Sequence, residues 1–450
     1  MIGATATGVP SWLRSHEDAQ ARLPGADRPW LCERRAEALA AFAASGLPTR
    51  RNEAWKYTDL KALGSVPLMP AVTMPEPATA CPVPTVLADD DVAARLVFVD
   101  GRVRPDLSHS RDLPAGVVFA DLTAGLSRHE ALLEHCLGHR NGITGRSLLA
   151  LNTAFMDGGF MLRVPRGVRI AKPIEIDRLS GQARGSDGAP LAHHPRIIVW
   201  IEDGAEATVL ENWAGGGDAV YFNNAVADVW VGNAARLRHY RLQDEGAAAF
   251  HVTTLRAEVG RDGDYETFSF STGARLSRLD ADIGLAGTGA HVGFGGVFMM
   301  RGRQHCDTTS VIDHHVPHTA CREVFKGVID GNARGVFQGR LVVHPGADKT
   351  DGQQSCRTLL LSDGAEIDAK PELEIYADDV KCSHGATAGQ LDDNALFFLR
   401  ARGIDERTAR RLLIEAFLAD ALDQISLPAL RTRLTERVEE WMRDRREEHE

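Results

Sequence analysis

The chain has 450 residues, of which 44% are hydrophobic, so a sizeable folded core is expected and wholesale disorder is not. Its 51 basic residues are outnumbered by 62 acidic residues, and the net charge of −11 argues against a general nucleic-acid binder, which needs a basic face. The sequence has no run of about 18 apolar residues and no apolar signal-peptide segment, so neither a membrane-spanning helix nor export is expected.

The cysteines are odd in number and widely scattered, and no two of them form a C-x-x-C pair. They are Cys32, Cys81, Cys136, Cys306, Cys321, Cys356 and Cys382. This spacing fits neither a disulfide framework nor a zinc ribbon. Reduced thiols in a cytoplasmic protein are therefore expected.

Residues 1–155 are predicted to form a mostly helical region with one linker and one β-hairpin. Helices are predicted over residues 33–45, 126–137 and 147–155. Residues 66–84 are rich in proline and show no periodicity, which indicates a linker. Alternating apolar residues flank Asp100-Gly101 within residues 95–103, and this pattern predicts a hairpin because glycine tolerates positive φ.

Residues 156–390 are predicted to be a β-rich core. Short β-branched and aromatic runs, such as residues 196–201 and 335–343, are separated by polar turns that resemble one another, such as Asp203-Gly204 and Asp363-Gly364. Self-similar strands and turns of this kind are typical of a parallel β-helix, whose coils bury their apolar faces by stacking. A sandwich of antiparallel hairpins is the competing interpretation, because the spacing of the turns is irregular.

Residues 391–450 are predicted to be helical again. Residues 405–425 carry two apolar stripes, and the second consists of Ile414, Leu418, Leu422 and Ile425. One stripe is enough to dock a helix on its own domain, so two stripes suggest contacts on both sides. A last helix is predicted to begin near Pro428. Its expected buried face is Leu430, Leu434, Val438 and Trp441.

Two sequence features bear on nucleotide and metal chemistry. None of the seven lysines follows a glycine, so the chain has no phosphate-binding loop and is not expected to be an ATPase. Residues 313–318 read DHHVPH and Cys321 follows, and imidazole and thiolate groups suit zinc or iron. Because no second ligand group stands at a convincing spacing, a polar turn broken by Pro317 is the favoured interpretation.

Cys382 and His384 are two residues apart, so in an extended segment their side chains share one face. A thiolate and an imidazole in this arrangement could share a soft metal or an iron ion, and Lys381 could lower the pKa of the thiol. The spacing alone favours a buried structural cysteine beside a hydrogen-bonded histidine.

The segment DVKCSHGAT, followed by FFLRARGI, resembles the C-terminal hallmark of the SufB/SufD family of the SUF iron–sulfur cluster assembly system. Residues 343–361 and 365–376 are similar to the same family, as are residues 51–60 near the N-terminus. SufB-like members typically carry a C-x-H-E-A variant and grouped cysteines nearer the N-terminus, and this chain has neither. Phe398 stands where the family often has tyrosine.

The resemblance implies a right-handed parallel β-helix with N-terminal and C-terminal helical regions, acting as a cytoplasmic, non-catalytic scaffold. It implies pairing with SufB through the β-helices and binding of the SufC ATPase by the C-terminal helices, with a homodimer as an option in the absence of these partners. Cys382 and His384 would lie closest to a transient iron–sulfur cluster or iron at the SufB interface, with no cofactor tightly bound in isolation. Leu418, Ile414 and Leu422 are the candidate SufC contacts.

Two alternatives remain open. The first is a carbohydrate-active β-helix enzyme in which paired acids such as Asp280 and Asp282 act as acid and base. The low aromatic content of 6% and the absence of an export signal argue against it. The second is a purely structural partner of SufB without a chemical role.

Overall fold

The computed structural model describes residues 9–73, 82–139, 145–185 and 188–444. The helices are α1 Val9–Ala19, α2 Pro29–Ser45, α3 Lys61–Gly64, α4 Leu122–Arg128, α5 Glu130–His139, α6 Ser147–Phe155, α7 Asp393–Arg400, α8 Glu406–Leu422 and α9 Pro428–Asp444. The first strands are β1 Met69–Pro70, β2 Ala94–Val99, β3 Arg102–Val103, β4 His109–Ser110, β5 Val118–Asp121, β6 Gly158–Val164, β7 Ile174–Ser180, β8 Leu191–His193, β9 Pro195–Ile201, β10 Glu206–Gly215 and β11 Phe222–Val231. The remaining strands are β12 Arg236–Asp244, β13 Phe250–Val259, β14 Asp264–Ser271, β15 Leu276–Leu285, β16 His291–Met300, β17 His305–His314, β18 Ala320–Ile329, β19 Arg334–Val343, β20 Asp351–Leu360, β21 Glu366–Ile375 and β22 Lys381–Gly389.

Two long sheets form the body of the protein. From β9 onward the chain alternates between them, so that one sheet runs in the order β21-β19-β17-β15-β13-β11-β9-β6-β5 and the other in the order β22-β20-β18-β16-β14-β12-β10-β7-β2-β3. From β6 and β2 onward, neighbouring strands within each sheet are parallel and stack in register, as in the pairs Val226↔Thr254 and Thr254↔Asp280. At the other end of the sheets, β5 and β3 pair antiparallel with β6 and β2. The result is a parallel β-solenoid of about seven turns. The predicted β-helix is confirmed, and the antiparallel sandwich is wrong.

Two of the three predicted N-terminal helices and the hairpin are present, one helix is corrected, and residues 69–70 of the predicted linker instead form β1, which pairs with β8. The predicted helices over residues 33–45 and 147–155 are present, and β2 and β3 form the expected hairpin around Asp100 and Gly101, which both have positive φ. The predicted helix over residues 126–137 is instead two helices, because the backbone leaves the helical conformation at His129 between α4 and α5. Cys81 and much of the predicted linker lie outside the described residues.

Inside the solenoid, alternate side chains of the long strands point into a common lumen, and the apolar ones form its core. The rings of Phe294 and Phe325 meet edge to face with centroids 5.0 Å apart, and Phe337 continues the stack at 5.4 Å from Phe325. Glycines provide the space for these rings, because a Cβ on Gly296 would lie 2.2 Å from the Phe325 ring. The lumen is therefore filled to van der Waals contact at these coils.

Helices cover the outer faces of the sheets. On the first sheet, α1, α2 and α6 bury an apolar cluster that includes Trp12, Phe42 and Phe222. On the second sheet, α8 and α9 pack over β12, β14, β16 and β18. The predicted start of α9 at Pro428 is confirmed, and its predicted apolar face is at most 5% exposed. Within the described ranges, no helix combines the length and the hydropathy needed to cross a bilayer.

The structure corrects the prediction that the second apolar stripe of α8 contacts the SufC ATPase. Ile414, Leu418 and Leu422 are 0%, 0% and 5% exposed, because they pack against the solenoid and α9. These side chains hold the helix on its own domain and are not accessible to a partner. The helix α8 has a second apolar stripe because it packs between two elements of the same chain.

Replacing Gly327 with alanine tests the close packing of the lumen. A Cβ at this position would lie 2.2 Å from the Phe298 ring, so we expect Gly327→Ala to lower the free energy of unfolding by about 1–3 kcal/mol. Urea denaturation measures the change. Gly389→Ala is the matched control, since a Cβ there meets open space. An equal loss in both variants would show that steric contact with Phe298 is not the cause.

Candidate functional site

The last coil of the solenoid forms an open end. Within the described part of the chain, β21 and β22 each pair with a strand on one side only. Their register with β19 and β20 identifies which side chains face the lumen. These are Ile367, Ala369, Pro371, Leu373 and Ile375 on β21, and Cys382, His384, Ala386 and Ala388 on β22. We call these nine residues the open end, and all of them are partly or fully exposed to solvent.

Cys382 lies at the start of β22 and is half-buried. Its neighbour in the preceding coil is Gly352, whose neighbour in turn is Cys321. A Cβ on Gly352 would lie 3.5 Å from Cys382 Sγ and 3.7 Å from Cys321 Sγ, so both sulfur atoms border the space left by the glycine. Desolvation raises the pKa of Cys382. The expectation that Lys381 lowers this pKa is wrong, because Lys381 is exposed on the opposite face of the strand.

His384 is exposed and lies on the same face of β22 as Cys382, as an extended segment requires. In the coil beneath it lies Gln354, and beneath that Glu323. The two residues singled out in the sequence are therefore brought together at the open end. Each sits on a column of lumen residues that continues into the buried core.

The column beneath His384 contains a buried carboxyl group. Glu323 is 0% exposed, and its oxygens accept hydrogen bonds from Ser310 Oγ and Gln354 Nε2, both at 2.6 Å. Desolvation raises its pKa from 4.5 to about 7, against the opposing effect of these two hydrogen bonds. An ionisable group thus lies two coils below the open end, and nothing in its sequence spacing indicated it.

A second cysteine–histidine pair lies beneath Cys382. His314 Nε2 is 3.2 Å from Cys321 Sγ, and His314 Nδ1 is 2.7 Å from Thr319 Oγ1. Both His314 and Cys321 are buried, and desolvation raises the pKa of the thiol. The residues of the 313–321 motif are therefore divided: His314 and Cys321 are inside the lumen, whereas Asp313 and His315 are outside it.

The donor set at the open end is incomplete by itself. Cys382 and His384 offer one sulfur and one nitrogen, whereas iron in iron–sulfur clusters and structural zinc take four ligands. Cys321 is nearby, but its sulfur is already in contact with His314. Iron or a cluster held here would need further ligands from outside these two strands.

The acid pair of the carbohydrate-active alternative is held by cations. Asp280 and Asp282 lie on the outer face of β15, where Asp282 forms an ion pair with Arg146. Asp280 lies 3.8 Å from Arg278 Nη2. Both carboxylates therefore have structural partners, which does not favour an acid–base role for them.

Sequence reasoning missed an exposed aromatic pair on α7. Phe397 is 74% exposed and Phe398 is 56% exposed, and the guanidinium carbon of Arg402 lies 3.3 Å from the Phe398 ring centroid. The helix packs against α8, which is fixed on the solenoid. The segment FFLRARGI contains both aromatic residues, but the sequence alone does not show that they face solvent.

The chain matches two family models. One, described as "SUF system FeS cluster assembly, SufBD core domain", matches residues 183–417, and the other, "SufBD protein N-terminal region", matches residues 11–176. A SufBD family protein of Synechocystis is 32% identical over 428 residues, which are 93% of each chain. The SufD protein of Escherichia coli is 32% identical over 400 residues, 89% of this chain and 90% of its own. The SufD protein of Bacillus subtilis is 28% identical over 341 residues, 74% of this chain and 76% of its own.

Glu323→Gln should change how stability depends on pH. Because the folded-state pKa of Glu323 is raised, the folded protein binds more protons than the unfolded chain between about pH 4.5 and 7, and stability falls as pH rises through this window. The shift corresponds to a loss on the order of 3 kcal/mol above pH 7. The glutamine variant lacks this component, so its stability relative to the parent should increase from pH 5 to pH 8.

Urea denaturation at several pH values measures this difference. Glu37→Gln, at an exposed carboxyl group on α2, is the control for loss of a surface carboxylate and should keep the parent's stability. A constant difference between Glu323→Gln and the parent from pH 5 to pH 8 would show that Glu323 does not titrate in this range.

Proposed function

The chain belongs to the SufBD family of the SUF iron–sulfur cluster assembly system, and we propose that it acts there as a SufD-type scaffold subunit. In this proposal it is cytoplasmic and non-catalytic, it pairs with SufB and it binds the ATPase SufC. The nascent cluster, or iron on its way to it, is the cargo of the complex. Family membership also removes the main support for the carbohydrate-active alternative.

The observation that carries the pairing proposal is the open end. Edge strands expose unpaired backbone N–H and C=O groups, and the partly exposed Leu373 and Ile375 add apolar surface beside them. A second solenoid placed end to end would continue both sheets and cover this surface, which is recognition by strand addition. SufB, a family member with the same fold, is the partner proposed here. In its absence, the same end would accept a second copy of this chain.

Cys382 and His384 are the residues we assign to the cargo. The raised pKa keeps Cys382 a protonated thiol in the free subunit, so binding iron must release a proton. Two donors from one subunit hold a metal less firmly than a complete set would, which suits a site that must release its product. SufB would supply the remaining ligands. A purely structural pairing, without ligand donation, is the alternative.

Substitutions of Cys382 and His384 distinguish ligand donation from purely structural pairing. Cys382→Ser and His384→Ala should assemble with SufB and SufC as the parent does, because neither change adds volume or alters strand pairing. We expect each to lower the iron and acid-labile sulfide of the purified complex by roughly tenfold, since each removes a ligand. Colorimetric iron and sulfide analysis after co-expression makes the measurement.

Cys32→Ser, at an exposed thiol on α2, is the control and should retain the cluster. If cluster content and complex assembly decrease together, the residues only pack in the interface. If both variants assemble and build clusters like the parent, the ligand assignment is wrong.

For the ATPase, we propose the aromatic pair on α7 in place of the buried stripe on α8. Phe397 offers exposed apolar surface on a helix that packs against a well-anchored neighbour, which is typical of an interface anchor. The chain itself lacks a phosphate-binding loop, so nucleotide hydrolysis would reside in SufC.

Phe397→Ser tests this surface. Truncation of a central aromatic anchor costs about 2 kcal/mol or more, so we expect SufC to bind roughly thirtyfold more weakly. Calorimetric titration of SufC into the purified chain measures the affinity. Tyr376→Ser is the matched control, because Tyr376 is 59% exposed beside the open end and should leave SufC binding unchanged. Equal SufC affinity in both variants would exclude α7 as the docking surface.

A further inference from the structure

The outer half of the divided 313–321 motif lies at a corner of the solenoid. Along β17 the side chains alternate, so His314 faces the lumen while Asp313 and His315 face outward. In-register pairing of His314 with Val343 places His344 beside His315 in the next coil. The second ligand group that the sequence spacing failed to reveal is therefore His344, which stacking brings to the motif.

Three potential ligands converge at this corner. One ligand atom from each of Asp313, His315 and His344 lies within 4.8 Å of the other two. His344 Nε2 is 2.9 Å from Asp313 Oδ1, and the rings of His315 and His344 are stacked with centroids 4.6 Å apart. His315 is exposed, so its ring can rotate toward the other two without moving the backbone.

We propose that Asp313, His315 and His344 bind a divalent first-row transition metal ion. Two imidazoles and one carboxylate suit Fe²⁺ and Zn²⁺, and three protein ligands leave positions for water. The ligands come from two rigid, paired strand ends, and solvent reaches the site directly. The site is on the outer surface, whereas Cys382 and His384 face the lumen. This inference therefore stands whether or not the open end carries a cluster.

Two acids and one histidine elsewhere in the chain form a second group, which is a weaker candidate for a metal site. Asp264, Glu266 and His291 also lie within ligand distance of one another, but Arg236 Nε is 3.0 Å from Asp264 Oδ2. A fixed cation at this distance opposes a metal ion, so the second group is better explained as an ion-pair cluster. In the described residues, the group at salt-bridge distance from Asp313 is His344, an imidazole that can itself be a metal ligand.

Cobalt binding to the full-length chain tests the site. The protein is stripped with a chelator and titrated with Co²⁺ in the Cys382→Ser/His384→Ala background, so that the open end contributes no ligands. We expect one Co²⁺ per chain, with visible d–d absorption and no intense thiolate-to-cobalt band. Zn²⁺ should displace the cobalt and anaerobic Fe²⁺, which binds N/O sites more weakly than Co²⁺, should displace it only in excess, whereas Mg²⁺, which prefers oxygen ligands, should not.

Single substitutions then identify the ligands. His315→Ala, His344→Ala and Asp313→Asn should each weaken Co²⁺ binding by at least about tenfold, because loss of even an outer hydrogen-bond partner weakens metal sites by about that factor. His318→Asn is the matched control. It removes an exposed imidazole from the same turn and keeps a residue that tolerates the φ of 59° there. It should bind Co²⁺ like its parent.

Each outcome of the cobalt titration either supports or excludes the site. The site is excluded if the parent binds no Co²⁺, or if the three ligand variants bind it as the parent does. It is also excluded if His318→Asn weakens binding as much as His315→Ala. Circular dichroism confirms the fold of each variant. If His344→Ala is destabilised, the exposed His315→Ala remains decisive, because its side chain has no buried packing to lose.

Discussion

In-register parallel stacking is the constraint on which the rest of this structure depends. Each coil places every residue directly over its equivalent in the coil before it, as in the column Cys321, Gly352 and Cys382. Side chains that are distant in sequence therefore become neighbours, and a coil is stable only where another coil or a covering helix buries its faces. The same rule that fills the lumen with aromatic rings leaves the last coil, β21 and β22, without a neighbour on its outer side among the described residues.

The sequence predicted the β-solenoid and its flanking helices because the relevant signals are local. Polar turns between apolar runs gave the strands, and Asp100-Gly101 gave the hairpin. The prediction that one stripe of α8 faces a partner was wrong, because amphipathic periodicity shows that a face is buried but not what buries it. Ile414 and Leu418 are covered by the solenoid itself. Likewise, continuous helical propensity over residues 126–137 did not reveal the break at His129.

The site was predictable only in part, because stacking is not local. Spacing alone placed Cys382 and His384 on one face, and family resemblance indicated their importance. Nothing in one sequence shows that Gln354 and Glu323 lie beneath His384, or that His344 lies beside His315, because those relations depend on the length of each coil. A sequence motif such as residues 313–321 also cannot show that alternate residues will be separated by a strand, with one half buried and the other exposed.

Buried polar groups beneath the open end oppose the stability of the coils that hold them. Glu323 is buried without a basic partner in its hydrogen-bond set, and its pKa rises because ionisation in the lumen is costly. An apolar side chain would fill the same space more favourably, as Phe294 does at the equivalent position of the preceding coil. The last coil is already the least supported part of the solenoid, since β22 is largely exposed. The buried polar groups beneath the last coil and its uncovered edge both lower the stability of the terminal coils. In the proposed assembly, both features would make the terminal coils depend on the docked partner, so that partner binding and completion of the Cys382–His384 site would be one event.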